Sequence, residues 1–111
     1  MYFDSHAHLD DKCFQPDFDA ILARMRENGV TGMMNIGCDL PSSERSVALA
    51  ERYDWIWAAV GSHPDDADHV DEARIERYRA LCQSPRVRAI GEIGLDYHYE
   101  DVPREVQKRA F

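Results

Sequence analysis

The chain has 111 residues, 44% hydrophobic and 31% charged, a balance that suits one small globular domain and excludes a disordered segment. Its net charge of −8, from 13 basic and 21 acidic residues, excludes broad electrostatic capture of nucleic acid; a phosphodiester held through bound cations stays open. No apolar run approaches the roughly 20 residues of a bilayer span, and Met1-Tyr2-Phe3 leads at once to Asp4 and His6 without a signal-peptide pattern. The expected location is therefore the cytoplasm, with no membrane contact.

Met1 to Ser5 reads as a first strand. Phe18, Ile21, Leu22 and Met25 then follow helical spacing, with Asp17 placed to cap the helix and Gly29 to end it. Val30 to Gly37 is a second apolar strand. Pro41 and Ser42 open a second helix, with Val47 and Ala50 on one face. Trp55 to Gly61 is the third strand, in which Trp55 and Trp57 are expected to pack in the core and against helices. Ile75, Tyr78 and Cys82 mark a third helix, started favourably by Asp71 and Glu72. Val87 to Ile93 is the fourth strand, and Pro103 begins a fourth helix. Cys13, Cys38 and Cys82 are odd in number and form no Cys-x-x-Cys pair, so they signal neither a disulfide framework nor a zinc knuckle.

Four strand–helix units in a row imply a parallel sheet, because each helix serves as a crossover. Strands apolar on both faces imply cover on both sides. The repeat of about 30 residues matches an eight-unit (β/α) barrel of about 250 residues, of which four units are half. Phe111 falls inside a helical pattern that no Gly, Asn or Pro ends. A half-barrel also leaves two sheet edges unpaired. Residues 1–111 are thus expected to be the N-terminal half of a longer hydrolase barrel, prone to self-association when isolated. A short open α/β domain or a dimerising half-barrel is the alternative.

The chemistry gathers where strands end. His6 and His8 follow the first strand, His63 the third, and Glu92 closes the fourth. A barrel builds its active site from that rim. Residues i and i+2 of a strand share a face, so His6 and His8 can hold one borderline metal such as zinc, or manganese with added oxygen ligands. Asp4 shares the face and can orient a ligand. Glu92, between Gly91 and Gly94, is costly at an apolar strand end unless metal-bound or paired with Arg86 or Arg88. A carboxylate there can bridge two cations. His63 can donate to an anionic substrate oxygen or serve as a structural turn residue. Asp96 can hold a water or a ligand in place, or cap local amides. Tyr97 is a candidate for lining a pocket. The run from Asp65 to His69 can bind a cation, but a solvated loop before a helix is the expected reading.

The motifs DSHAHLD at 4–10, GSHP at 61–64 and GEIGLDYH at 91–98, with the spacing from Gln107 to Phe111, resemble the TatD family of metal-dependent deoxyribonucleases. The resemblance implies a full TIM-type barrel and two divalent cations per complete site, as Mg, Mn or Zn. It further implies cleavage of phosphodiester bonds in DNA, often from a 3′ end. Carried onto this chain, it makes His6 and His8 ligands of one metal and Glu92 the bridge between both. The family's remaining ligands, two histidines after strands 5 and 6 and an aspartate after strand 8, have no counterpart in these residues, so the chain alone is expected to be inactive. Two rival readings are a related barrel hydrolase acting on an amide, lactone or phosphotriester, and a non-catalytic product.

Overall fold

Strands β1 (Tyr2–Ala7), β2 (Val30–Ile36), β3 (Ile56–Val60) and β4 (Val87–Ile90) alternate with helices α1 (Phe18–Glu27), α2 (Leu40–Arg52), α3 (Glu72–Leu81) and α4 (Arg104–Ala110). The computed structural model describes residues 1–99 and 101–111. The strands form a single sheet in chain order, and every pair is parallel. Two 3-10 turns, Lys12–Asp17 and Pro64–His69, are additions that apolar periodicity does not reveal. Among the described residues no helix is long and apolar enough to cross a membrane.

The core lies between the sheet and the helices. Met33, Ile56, Ala58 and Val60 are fully buried and pack with Leu22 of α1, Val47 of α2 and Tyr78 of α3. Each of the larger side chains contributes about 1.5–3 kcal/mol by leaving water. Burial is unequal across the sheet. β2 and β3 are mostly enclosed, whereas β1 and β4 are exposed, with Tyr2 68%, Phe3 55% and Ile90 57% accessible. β1 and β4 are the two edges of the sheet.

Local chemistry explains the boundaries. Asp39 caps α2 by accepting from Ser42 N at 2.7 Å, and Ser42 Oγ accepts from Asp39 N at 3.0 Å, a reciprocal pair that satisfies two helix-end amides. Asp71 caps α3 by accepting from Arg74 N at 2.8 Å. Asp17 occupies the first position before α1 but makes no capping bond, contrary to expectation, because the preceding 3-10 turn brings the chain in already curled. Asp11 caps that turn instead, accepting from Cys13 N. Gly29, at φ +83°, ends α1 as expected.

Two expectations need correction. Trp55 packs against the core as expected, with Arg26 5.2 Å over its ring, whereas Trp57 lies outside the core cluster, half-buried beneath Arg86 at 5.0 Å. The fourth strand stops at Ile90, not Ile93. Past it, Gly91 N still donates to Val60 O at 2.9 Å, but Glu92 N reaches across to Gly37 O at 2.7 Å, so the chain has turned inward over the end of the sheet.

Burial pushes the Asp39 carboxyl up, but hydrogen bonds from Ser42, helped by Arg45 and Arg74 nearby, outweigh it and hold the group below its ordinary value. A depressed folded pKa stabilises above the unfolded value of about 4 and loses that contribution as pH falls through the folded one. Asp39→Ala should therefore cost about 1 kcal/mol near neutral pH. Thermal melts should show the gap between variant and wild type closing toward pH 3; a gap that stays constant would rule out the charged cap.

Candidate metal centre

The histidine pair is set by the end of β1. Ala7 is the last strand residue, and His8 lies one step beyond it, yet the two rings converge, Nε2 to Nε2, at 3.1 Å. His8 Nδ1 bonds Ile36 O at 2.9 Å. A carbonyl can only accept, so Nδ1 carries the proton and the neutral ring presents the lone pair of Nε2. That is the arrangement of a metal-ligating histidine whose far nitrogen is tied to the protein.

Glu92 enters from the other edge of the sheet. Its Oε2 is 3.6 Å from His6 Nε2, and its Oε1 is 3.8 Å from His63 Nε2. One ligand atom from each of His6, His8 and Glu92 fits within a 4.8 Å span. Two nitrogens and one oxygen at that spacing suit a divalent cation with metal–ligand bonds of about 2.0–2.2 Å. Such a cation, when bound, lends Lewis acidity and concentrated positive charge. The alternative of a structural ion pair does not hold. Arg86 donates to the carbonyls of Ala50, Tyr53, Asp54 and Ile56, and no bond joins Glu92 to Arg86 or Arg88 among the described residues.

The two sheet-edge segments meet because backbone packs on backbone. A Cβ on Gly61 would lie 2.9 Å from the carbonyl carbon of Gly91, and one on Gly37 would lie 2.6 Å from Ser43 Cα. These positions let the ends of β2 and β3 approach α2 and the Glu92 segment closely.

His63 stands beside the cluster. Asp65 N donates to its Nδ1 at 3.2 Å, so in the neutral ring Nε2 carries the proton, 3.8 Å from Glu92 Oε1 and beyond hydrogen-bond reach of it. Its loop is fastened by Ser62, whose Oγ lies 2.7 Å from Tyr78 OH and donates to Asp66 Oδ2 at 3.1 Å. Tyr78 OH also donates to Gly61 O, and burial pushes that hydroxyl up.

The remaining candidates sit further from the cluster chemistry. Asp4 accepts from the backbone N of His6 at 3.1 Å and so touches the main chain, not a ligand ring. Asp96 accepts from His98 N at 2.8 Å, the local amide capping weighed above. Tyr97 lies under the Arg104 guanidinium at 4.5 Å. Residues not anticipated from sequence hold these segments. Gln107, 2% exposed, donates to Asp96 O and Val102 O and accepts from Asp96 N, clamping the segment that follows Glu92. Asn35, wholly buried, accepts from Leu9 N directly after the histidine pair. A cleft of about 330 Å³ opens beside His8 and Glu92. The larger groove, about 440 Å³, runs between α3 and α4 and touches none of the metal-ligand candidates, so its size has no bearing on the chemistry.

The sequence model of the TatD related DNase family matches residues 3–111. The chain is 37% identical over its whole length to a protein of Bacillus subtilis described as an uncharacterized metal-dependent hydrolase, YabD, and spans 44% of it. It is 38% identical over 109 residues to the 3'-5' ssDNA/RNA exonuclease TatD of Enterobacter lignolyticus, covering 98% of this chain and 42% of that one. Among solved structures it resembles YjjV, a TatD homologue of Escherichia coli K12, with a TM-score of 0.87, 32% identity, and coverage of 98% of this chain and 43% of the other. An uncharacterized amidohydrolase of Saccharomyces cerevisiae, at 24% identity and a TM-score of 0.81, shares the fold, over 97% of this chain and 41% of its own. The four units are thus the first four of a TIM-type (β/α) barrel, and the chain spans less than half the length of these relatives.

Proposed function

Since the chain belongs to the TatD-related DNase family, we propose that it carries the metal-binding half of a hydrolase that cleaves phosphodiester bonds in single-stranded DNA, from a 3′ end. The observation that carries this reading is the convergence of His6, His8 and Glu92 within 4.8 Å, from opposite edges of the sheet. His6, His8 and Glu92 would hold one divalent cation, and a second, also drawing on Glu92, would take its remaining ligands from the other half of the rim. Two imidazoles and a carboxylate suit zinc, or manganese with added oxygen ligands; magnesium would need further oxygen donors from the rest of the rim. His63 donates from Nε2 to an anionic oxygen of the substrate. Asp4 holds the main chain of His6, while Asp96 and Tyr97 shape the segment beyond Glu92. The carboxylate of Glu92, just past the fourth strand, supports the phosphodiester reading because a carboxylate there can bridge two cations, as a two-metal hydrolase needs.

Residues 1–111 are read as the N-terminal half of the barrel, acting in the cytoplasm, inactive alone, and prone to associate through the exposed apolar edges β1 and β4. Titration calorimetry with zinc tests the centre in the chain itself. The wild type should bind, and His6→Ala and His8→Ala should each weaken binding by about tenfold or more. Equal affinity in all three proteins would remove the histidine pair from the site.

A further inference from the structure

The cleft beside the metal ligands is walled by carboxylates, yet a phosphodiester must enter it. Asp39 is engaged in capping α2, and Asp11 in capping the 3-10 turn. The N-terminus of α2 also reaches the cleft, but two of its amides are taken, Ser42 N by Asp39 Oδ1 and Ser43 N by Asp39 O. Among the residues lining the cleft, Arg45 is the one lysine or arginine.

Arg45 is held, not merely present. Its Nε and Nη2 both lie 3.1 Å from Asp10 Oδ2. Asp10 is itself nearly enclosed, its side chain 7% exposed, and its Oδ1 accepts from Asn35 Nδ2 at 2.9 Å. Asn35 is anchored in turn to Ser46 Oγ and Leu9 N. A buried relay thus fixes one guanidinium on the wall shared with His8 and Glu92, while 53% of the arginine side chain stays accessible and Nη1 makes no hydrogen bond among the described residues.

We infer that Arg45 binds a phosphate of the nucleic-acid strand adjacent to the one under attack, and so sets the register of the strand on the metal centre. The inference rests on the phosphodiester reading above. A planar guanidinium with donors to spare matches two non-bridging phosphate oxygens. In a chain of net charge −8 a fixed cation beside the metal ligands is what draws the strand over an otherwise repelling wall.

The test uses the 111-residue chain saturated with zinc, and the dinucleotide 5′-phosphoryl-dTdT as probe, followed by calorimetry at several salt concentrations. Wild type should bind, R45A should bind about tenfold or more weakly, and the slope of log affinity against log salt should become shallower as one ionic contact is lost. R45K should recover part of the affinity and the whole slope, which a purely structural Asp10 partner would not require. Zinc affinity, measured separately, should be unchanged in both variants. Unchanged dinucleotide affinity and salt slope in R45A would overturn the role of Arg45 alone. A zinc-loaded wild type with no affinity for the dinucleotide would remove the phosphodiester reading and Arg45 with it. Lost zinc binding in R45A would make the residue a support of the metal centre and overturn the inference as well.

Discussion

Glu92→Gln is expected to lower zinc affinity of the chain by a factor on the order of a hundred, because it removes the only negative charge among the three ligands while keeping their shape. In a protein carrying the whole barrel, the same change should cut release of nucleotides from single-stranded DNA by a factor on the order of hundreds, comparable with losing a principal electrostatic stabiliser. Without metal, the variant should unfold within about 0.5 kcal/mol of the wild type, since the side chain is partly exposed and its neighbours His6 and His63 stand 3.6 and 3.8 Å away, beyond a hydrogen bond. The contrast between the two readouts is the informative part. Zinc binding as tight as that of the wild type would take Glu92 out of the centre. A large loss of metal-free stability would make it a structural residue instead.

Asn35→Ala should destabilise the chain by about 2–4 kcal/mol in urea unfolding. The asparagine is wholly buried, and its side chain serves Leu9 N at 2.6 Å, Asp10 at 2.9 Å and Ser46 at 2.8 Å. Removing it strands a buried amide, which costs about 1–3 kcal/mol, and leaves the Asp10 carboxylate short of a donor in a poorly solvated place. Because Leu9 directly follows His8, zinc affinity should weaken as well. A cost below about 1 kcal/mol would mean that water replaces the amide group and that the relay toward Arg45 is not built on it.

The strands and helices were legible because apolar residues recur at the right periods, and the histidine pair because alternate residues of a strand share a face. Glu92 was legible as an acidic residue in an apolar context. What sequence could not supply was the turn after Ile90. The pattern Val87 to Ile93 stays apolar, but the bond from Glu92 N to Gly37 O redirects the chain, and that bond joins segments far apart in sequence. The same holds for Asn35, Gln107 and Arg45. Each is a polar residue whose role depends on a partner in another element, and no local period marks it. Trp57 was misplaced for a related reason: hydrophobicity predicts burial, but not that an arginine from a neighbouring segment will provide the cover. Asp17 had the right chemistry at the right place, and lost its role to the turn that precedes it.

The strand order has a consequence in time. Each strand pairs with the one made just before it, so every step of sheet assembly joins neighbours, and the sheet can grow while the chain is still being synthesised. His6 and Glu92 break that pattern. They belong to the first and fourth units, and they meet only after the two units between them are in place. A cation held by the histidines and Glu92 together would therefore be captured only once the fourth strand has formed, and a shorter nascent chain, presenting the histidines without the carboxylate, would hold it weakly.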